Sequence, residues 1–144
     1  MITLLQRVSE ATVIIEGHCV ASIDRGLLVL VGVQAGDSVA IAQKFVSRLL
    51  NYRVFPDSEA RMNLSLVDVQ GGLLLVPQFT LAATTSKGRR PSFTTAAPPA
   101  QGEAIFQAMV AAAKSSYPVV KSGQFGADMQ VRLTNDGPVT FILD

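Results

Sequence analysis

Residues Leu27 to Val33 read Leu-Leu-Val-Leu-Val-Gly-Val, without a single polar side chain to turn toward water. A run with no alternation suits a strand buried on both faces, and such a strand needs covering elements on each side. The flanking sequence supplies candidates. Ile2–Val8 and Thr12–Ile15 are apolar and β-branched, and Glu16-Gly17-His18 reads as a hairpin turn before a strand over Cys19–Ile23. Asp24-Arg25-Gly26 is a second turn. Asp37 and Ser38 offer N-caps, and Val39, Ala42, Val46 and Leu49 recur at helical spacing, which predicts an amphipathic helix over Ser38–Leu50.

The rest of the chain returns to strands. Arg53-Val54-Phe55 ends at the turn signal Pro56-Asp57, and Ser65–Val69 and Leu73–Leu81 flank Gly71-Gly72 as the arms of a hairpin would. From Ala82 to Pro99 the composition shifts to Thr, Ser, Gly, Pro and three basic residues without periodicity. A loop that long in a small domain is usually functional. A second helix follows Pro98-Pro99, with Ile105, Ala108, Met109 and Ala112 on one face. Val119-Val120, Met129–Leu133 and Val139–Leu143 give the last strands, separated by Gly123–Gly126 and by Asn135-Asp136-Gly137-Pro138. The expectation is one α+β domain spanning 1–144: a β-barrel-like arrangement of short, mostly antiparallel strands with two main helices outside.

Composition narrows the function. Twelve basic and eleven acidic residues leave a net charge of +1, so no global basic field is available to hold nucleic acid, and any such contact must be a local patch. One cysteine excludes an internal disulfide, and one cysteine with one histidine are too few for an ordinary zinc site. The N-terminus lacks the pattern of a signal peptide. The uncharged stretch Val69–Ser86 carries Gly71-Gly72, Pro77, Gln78 and threonines, poor material for a spanning helix. A cytoplasmic protein without a cofactor is expected. Its 49% hydrophobic content points to an apolar surface shared with a second copy.

Side-chain chemistry is sparse. His18, beside Gly17, reads as a solvated turn residue and Cys19 as a small buried hydrophobe, so a Ser-His-Asp or Cys-His arrangement is hard to assemble. No phosphate-binding glycine loop is present. Two segments stand out. In Val76-Pro77-Gln78-Phe79-Thr80-Leu81 a strand runs into the basic stretch Thr84–Phe93, and Pro77, lacking an N–H, suits an edge where neighbouring amides are free to hold an oxyanion. The same stretch also reads as an ordinary solvated loop. In Asn135-Asp136-Gly137-Pro138-Val139-Thr140 a rigid Gly-Pro pair suits a stereochemical gate, or simply a turn between strands.

At these segments, and in order along the chain at Gln6-Arg7-Val8, Gly26-Leu27-Leu28-Val29, Asn51–Phe55, Met62-Asn63-Leu64, Gln78–Leu81, Arg90-Pro91-Ser92-Phe93 and Gly123–Met129, the sequence resembles the D-aminoacyl-tRNA deacylase family of bacterial and eukaryotic type. The resemblance implies homodimers with active sites at the subunit interface. It implies hydrolysis of the ester between a D-amino acid and the terminal adenosine of tRNA, and removal of glycine mischarged onto alanine tRNA. It assigns the catalytic motif to Gln78, Phe79 and Thr80. Gly137 and Pro138, in the cis form, become the gate that enters the partner's site and rejects L side chains. Lys87, Arg89, Arg90 and Arg7 are candidate tRNA contacts; no metal is implied.

A threonine nucleophile needs a neighbouring base, and the sequence offers none, so backbone oxyanion stabilisation with help from the tRNA 2′-hydroxyl is the expected mechanism. The chain departs from many members in carrying Pro77 in place of a serine and Thr84 in place of an aspartate. Two other classes make distinguishable expectations. A catalytically silent dimeric RNA-binding module would protect the ester, and a general esterase using Ser92 or Thr80 would cleave simple esters without regard to tRNA.

Overall fold

The uninterrupted apolar run forms β3 (Gly26–Gly32), an interior strand of a six-stranded sheet in the structure, a computed structural model describing residues 1–144. Antiparallel to β3 lies the first half of β1 (Ile2–Ile15); the second half of β1 pairs with β2 (His18–Ile23), and the opposite edge of β1 pairs with β8 (Gln130–Leu143). On its other side β3 runs parallel to β6 (Gly72–Pro77), which pairs in turn with β7 (Val120–Ser122). A separate two-stranded unit joins β4 (Phe55–Pro56) to β5 (Met62–Leu64). The main sheet curls into a barrel-like half-shell with two main helices outside it, in agreement with the α+β expectation.

Strand alternation explains why β3 has no polar face. Leu27, Val29 and Val31 point into a core closed by helices α1 (Val39–Asn51) and α3 (Pro99–Ser116), where Val46, Leu49, Phe106 and Met109 are buried. Leu28 points the other way, into a second core with Val8, Val13, Ile23, Leu74 and Val76, roofed by Met129, Val131 and Leu133 around the start of β8. Helix α1 begins where the caps predicted: the Ser38 hydroxyl accepts from Ile41 N–H at 3.3 Å. Pro99 opens α3 at a position where a missing N–H costs nothing.

Three expectations are corrected. Gly71-Gly72 is no hairpin turn, because both neighbours of β6, β3 and β7, run parallel to it and leave no place for an antiparallel arm. Gly72 instead lets two backbones close: a Cβ on its register partner Gly26 would lie 1.9 Å from the Gly72 carbonyl oxygen. Ser65–Val69 is a single helical turn, α2 (Leu66–Val69), because Ser65 and Asp68 form a capping box. The Ser65 N–H and hydroxyl donate to Asp68 Oδ2 at 2.8 and 2.7 Å, while Ser65 Oγ accepts from Asp68 N–H at 3.2 Å. Cys19 is exposed rather than buried, because the β1–β2 register shifts between Val13 and Ile14 and rotates it off the face that buries Ala21 and Ile23. Of the Val69–Ser86 stretch, part is β6 and part a 3-10 turn, and no helix of the chain is long and apolar enough to cross a membrane.

Two stability measurements follow. Gly26→Ala places a methyl inside a backbone contact that no rotamer relieves. It should cost at least about 3 kcal/mol and lower Tm by roughly 10 °C in calorimetry, whereas a change under 2 °C would mean that β3 and β6 are not so closely apposed. The second concerns Asp68. Its carboxyl is held below the ordinary 3.8, first by the Ser65 N–H and then by the Ser65 hydroxyl. A depressed carboxyl stabilises fully above the unfolded-chain pKa and ceases to as pH falls through the folded value. The Tm gap between wild type and Asp68→Asn should therefore be constant above about pH 5 and close below about pH 4; a gap that persists in acid contradicts the ionised capping box.

Candidate active site

The C-terminal end of β6 opens onto the first segment singled out in the sequence. Leu73 N–H donates to Val119 and Gln78 N–H to Val31, at 2.9 and 2.7 Å, so odd-numbered amides of β6 face β7 and even-numbered ones face β3. Pro77 therefore omits an N–H on the β7 side, two residues past the last β6–β7 pair at Leu75, where no ladder remains to be served. Its ring lines a cleft instead. After Gln78 the chain tightens into a 3-10 turn, Phe79–Ala82, with Leu81 N–H donating to the Gln78 carbonyl at 3.1 Å. Gly32 at the end of β3 permits this turn to sit close: a Cβ there would meet Leu81 Cβ at 2.8 Å.

The turn leaves the Phe79 and Thr80 N–H groups as its leading donors, those a helical start does not use. Gln78 Nε2 donates to Thr80 Oγ1 at 2.5 Å, and this is the only hydrogen bond of the Thr80 side chain. An amide N–H cannot accept a proton, so Thr80 has no base of its own. Beside the turn lies a cleft of about 460 Å³. Its walls are largely apolar (Val76, Pro77, Phe125, Met129, Val131), with Gln78 at one end and Asp128 as its one acidic group. Met129 is fixed from behind, its sulfur accepting Gln124 N–H at 3.4 Å, and Gly123 lacks the Cβ that would stand 2.8 Å from that sulfur. Phe125, Asp128 and Met129 were matched in the sequence only as part of a block. No composition or periodicity signal marks them as cleft residues, because they reach it through the sheet's curl. No three His, Cys, Asp or Glu side chains converge as a metal site would require.

The second segment is a wide bulge in β8. Asn135 pairs with Val8 and Thr140 with Gln6, so the four residues 136–139 stand opposite Arg7 alone. The turn expected between two strands is thus an excursion within one. Asn135 closes its neck: Oδ1 accepts Val139 N–H at 2.7 Å and Nδ2 donates to Thr140 Oγ1 at 2.9 Å. Arg7 holds the near side, Nε donating to the Asp136 carbonyl at 2.8 Å and Nη1 to the Val54 carbonyl at 2.7 Å. The Gly137–Pro138 peptide bond is cis, and Gly137 has φ +146, with Val139 Cγ2 only 2.7 Å from where a Cβ would be.

Placement of the sequence candidates is therefore uneven. Gln78 and Phe79 line the cleft and Thr80 follows in the same turn, whereas Gly137 and Pro138 are absent from the lining. Along the sheet the bulge sits at the level of Arg7 and Leu27, and Pro77 at the level of Val31 three strands across. Four residues along and three strands over amount to about 20 Å measured along the sheet. Arg7, a candidate for phosphate contact, donates through Nε to the bulge and through Nη1 to the Val54 carbonyl. Lys87, Arg89 and Arg90 are exposed on a separate arm, and His18 and Cys19 lie on β2 outside the cleft.

Residues 4–144 match the family model described as D-Tyr-tRNA(Tyr) deacylase. A D-aminoacyl-tRNA deacylase of Pseudomonas aeruginosa (strain LESB58) is 63% identical over 144 residues, covering 100% of this chain and 99% of that protein. One of Nitrosococcus oceani is 58% identical over 143 residues, covering 99% and 92%. Among solved structures, one titled c-Myc DNA Unwinding Element Binding Protein superposes with a TM-score of 0.95 at 37% identity, over 100% of this chain and 98% of that one. A probable eukaryotic D-amino acid tRNA deacylase superposes at 0.86 with 19% identity, covering 99% and 97%, which supports the fold alone. With a family model and a full-length relative both matching end to end, the chain belongs to the D-Tyr-tRNA(Tyr) deacylase family.

Proposed function

We propose that this chain, acting as one domain in the cytoplasm and as a homodimer, hydrolyses the ester of D-aminoacyl-tRNA to free D-amino acid and tRNA, and also clears glycine from alanine tRNA. Family membership carries the activity, and one observation carries the mechanism. Thr80, whose only side-chain hydrogen bond comes from an amide, sits in a turn that presents two backbone N–H groups beside a cleft wide enough for a nucleoside. Those N–H groups are placed to hold the oxyanion that forms when water attacks the ester carbonyl. A single well-aimed donor of this kind contributes about 3–4 kcal/mol to the transition state. The 2′-hydroxyl of the terminal ribose, next to the scissile bond, both donates and accepts, and it guides the water. The ester alkoxide leaves as the 3′-hydroxyl after taking up a proton.

Rejection of L substrates falls to Gly137 and Pro138. Their separation from Gln78 by about 20 Å of sheet within one chain favours delivery by a second copy, whose bulge, stiffened by its Arg7 and Asn135, closes the cleft. Exposed Phe141 and Ile142 on the unpaired edge of β8 supply apolar area for that contact. A wall suits the task better than attraction, since pockets distinguish small apolar differences by only about 1–3 kcal/mol. Glycine, with no side chain to exclude, passes.

The direct test is ester loss from D-tyrosyl-, L-tyrosyl- and glycyl-tRNA with a chelator present. Rapid loss of the D and glycyl esters with the L ester intact is expected. Loss of all three would remove the gate from Gly137-Pro138, and loss of none would favour the RNA-binding module. Thr80→Ala should keep kcat within about threefold of wild type. A fall approaching the uncatalysed rate would make Thr80 the nucleophile.

A further inference from the structure

We propose that the arm from Thr84 to Phe93 is a second RNA contact, on which an unpaired nucleotide preceding the terminal adenosine stacks against Phe93 while Lys87, Arg89 and Arg90 hold its phosphates; this rests on the deacylase reading and deepens it. The arm is a built structure. Thr84 N–H donates to the Ser92 carbonyl at 2.8 Å and Ser92 N–H to the Thr84 carbonyl at 3.0 Å, a single antiparallel bridge that closes the arm. Below it the Thr95 hydroxyl donates to the Ala82 carbonyl, and Ala97 N–H donates to the Val33 carbonyl at 3.0 Å, tying the base to the end of β3. The tip, where Gly88 takes φ +71, presents the three cations, and none of them forms an ion pair.

Charge and aromatic surface coincide there. No Asp or Glu occurs anywhere from Val69 to Gly102, so a chain of net charge +1 carries a local excess of three positive charges on this arm. Phe79 and Phe93 are 55% and 42% exposed, with ring centroids 5.1 Å apart at an interplanar angle of 51°. That spacing leaves no room for a base between the rings, so the open face of Phe93 is the stacking surface. Phe79 belongs to the turn beside the cleft, and contact between the two rings places this surface next to a terminal nucleoside bound there. Single exposed aromatics need no explanation, but a touching pair beside three unpaired cations matches a single-stranded polyanion whose bases each offer a π-face.

The test compares kcat/KM on D-tyrosyl-tRNA with that on D-tyrosyl-adenosine, which lacks every upstream nucleotide. Phe93→Leu keeps the apolar bulk and removes the ring, so the tRNA-to-adenosine ratio should fall about tenfold. A ratio equal to wild type overturns the proposal, whether both substrates fall together or neither changes. Neutralising the three cations (Lys87→Gln, Arg89→Gln, Arg90→Gln) should reduce the slope of log KM against log salt on tRNA by about two, and an unchanged slope contradicts phosphate contact. Light scattering of Phe93→Leu should return the wild-type mass; dissociation into smaller species would assign the ring to the contact between copies and overturn the RNA role. Wild-type protein inert on both D-esters would instead defeat the deacylase reading itself.

Discussion

The structure depends on a close parallel apposition, β3 against β6, held by two glycines at one end and by a backbone hydrogen bond at the other. Gly26 and Gly72 bring the strands together, and the apolar run that follows buries side chains on both faces of the sheet. At the far end Gln78 N–H reaches the Val31 carbonyl, and there the chain leaves the sheet as a 3-10 turn. The register that packs two cores therefore also sets where the Phe79 and Thr80 amides point. Placing reactive geometry on backbone at a strand end costs little in side-chain entropy and needs no unusual titrating group, which fits a chain with one histidine and one exposed cysteine.

A second constraint comes from distance. The cleft at the end of β6 and the bulge of β8 are each well made: the first by the fixed Met129 sulfur and the missing Cβ of Gly123, the second by Arg7 and Asn135. Yet about 20 Å of sheet, measured along its surface, separates them within one chain. The two-fold pairing proposed above would bring them together, because an isologous contact delivers each copy's bulge to the other's cleft at once. On that proposal chirality is a property of an interface, read by rigid backbone rather than by adaptable side chains.

Much of this was legible in the sequence. The Leu27–Val33 run announced a strand with two buried faces, Ser38 and the Val39–Leu49 spacing announced α1, and Pro99 marked the start of α3. What failed to show was long-range geometry. Gly71-Gly72 has the composition of a turn, and only its partner Gly26, over forty residues earlier, makes it a close crossing. The Ser65–Asp68 capping box was readable as Ser-x-x-Asp but was masked by β-branched neighbours. Cys19 turned outward because of a one-residue register shift, which no local pattern encodes. The motif at Gln78–Thr80 was visible as chemistry, while Phe125, Asp128 and Met129 joined it only through the curl of the sheet. Arg7 reads as a candidate phosphate contact because charge is visible in sequence, whereas its partners, the Asp136 and Val54 carbonyls, show only in the fold.

In the proposed dimer one copy's turn and the other copy's bulge form a single site. A crystal structure with a non-hydrolysable D-tyrosyl-3′-aminoadenosine tests it most directly. The expected result is the nucleoside in the cleft beside Phe125 and Met129, the acyl oxygen facing the Phe79 and Thr80 N–H groups, and the α-amino group against the Gly137-Pro138 bulge of a second copy. The ligand bound to an isolated chain with no second copy near it would contradict a shared site.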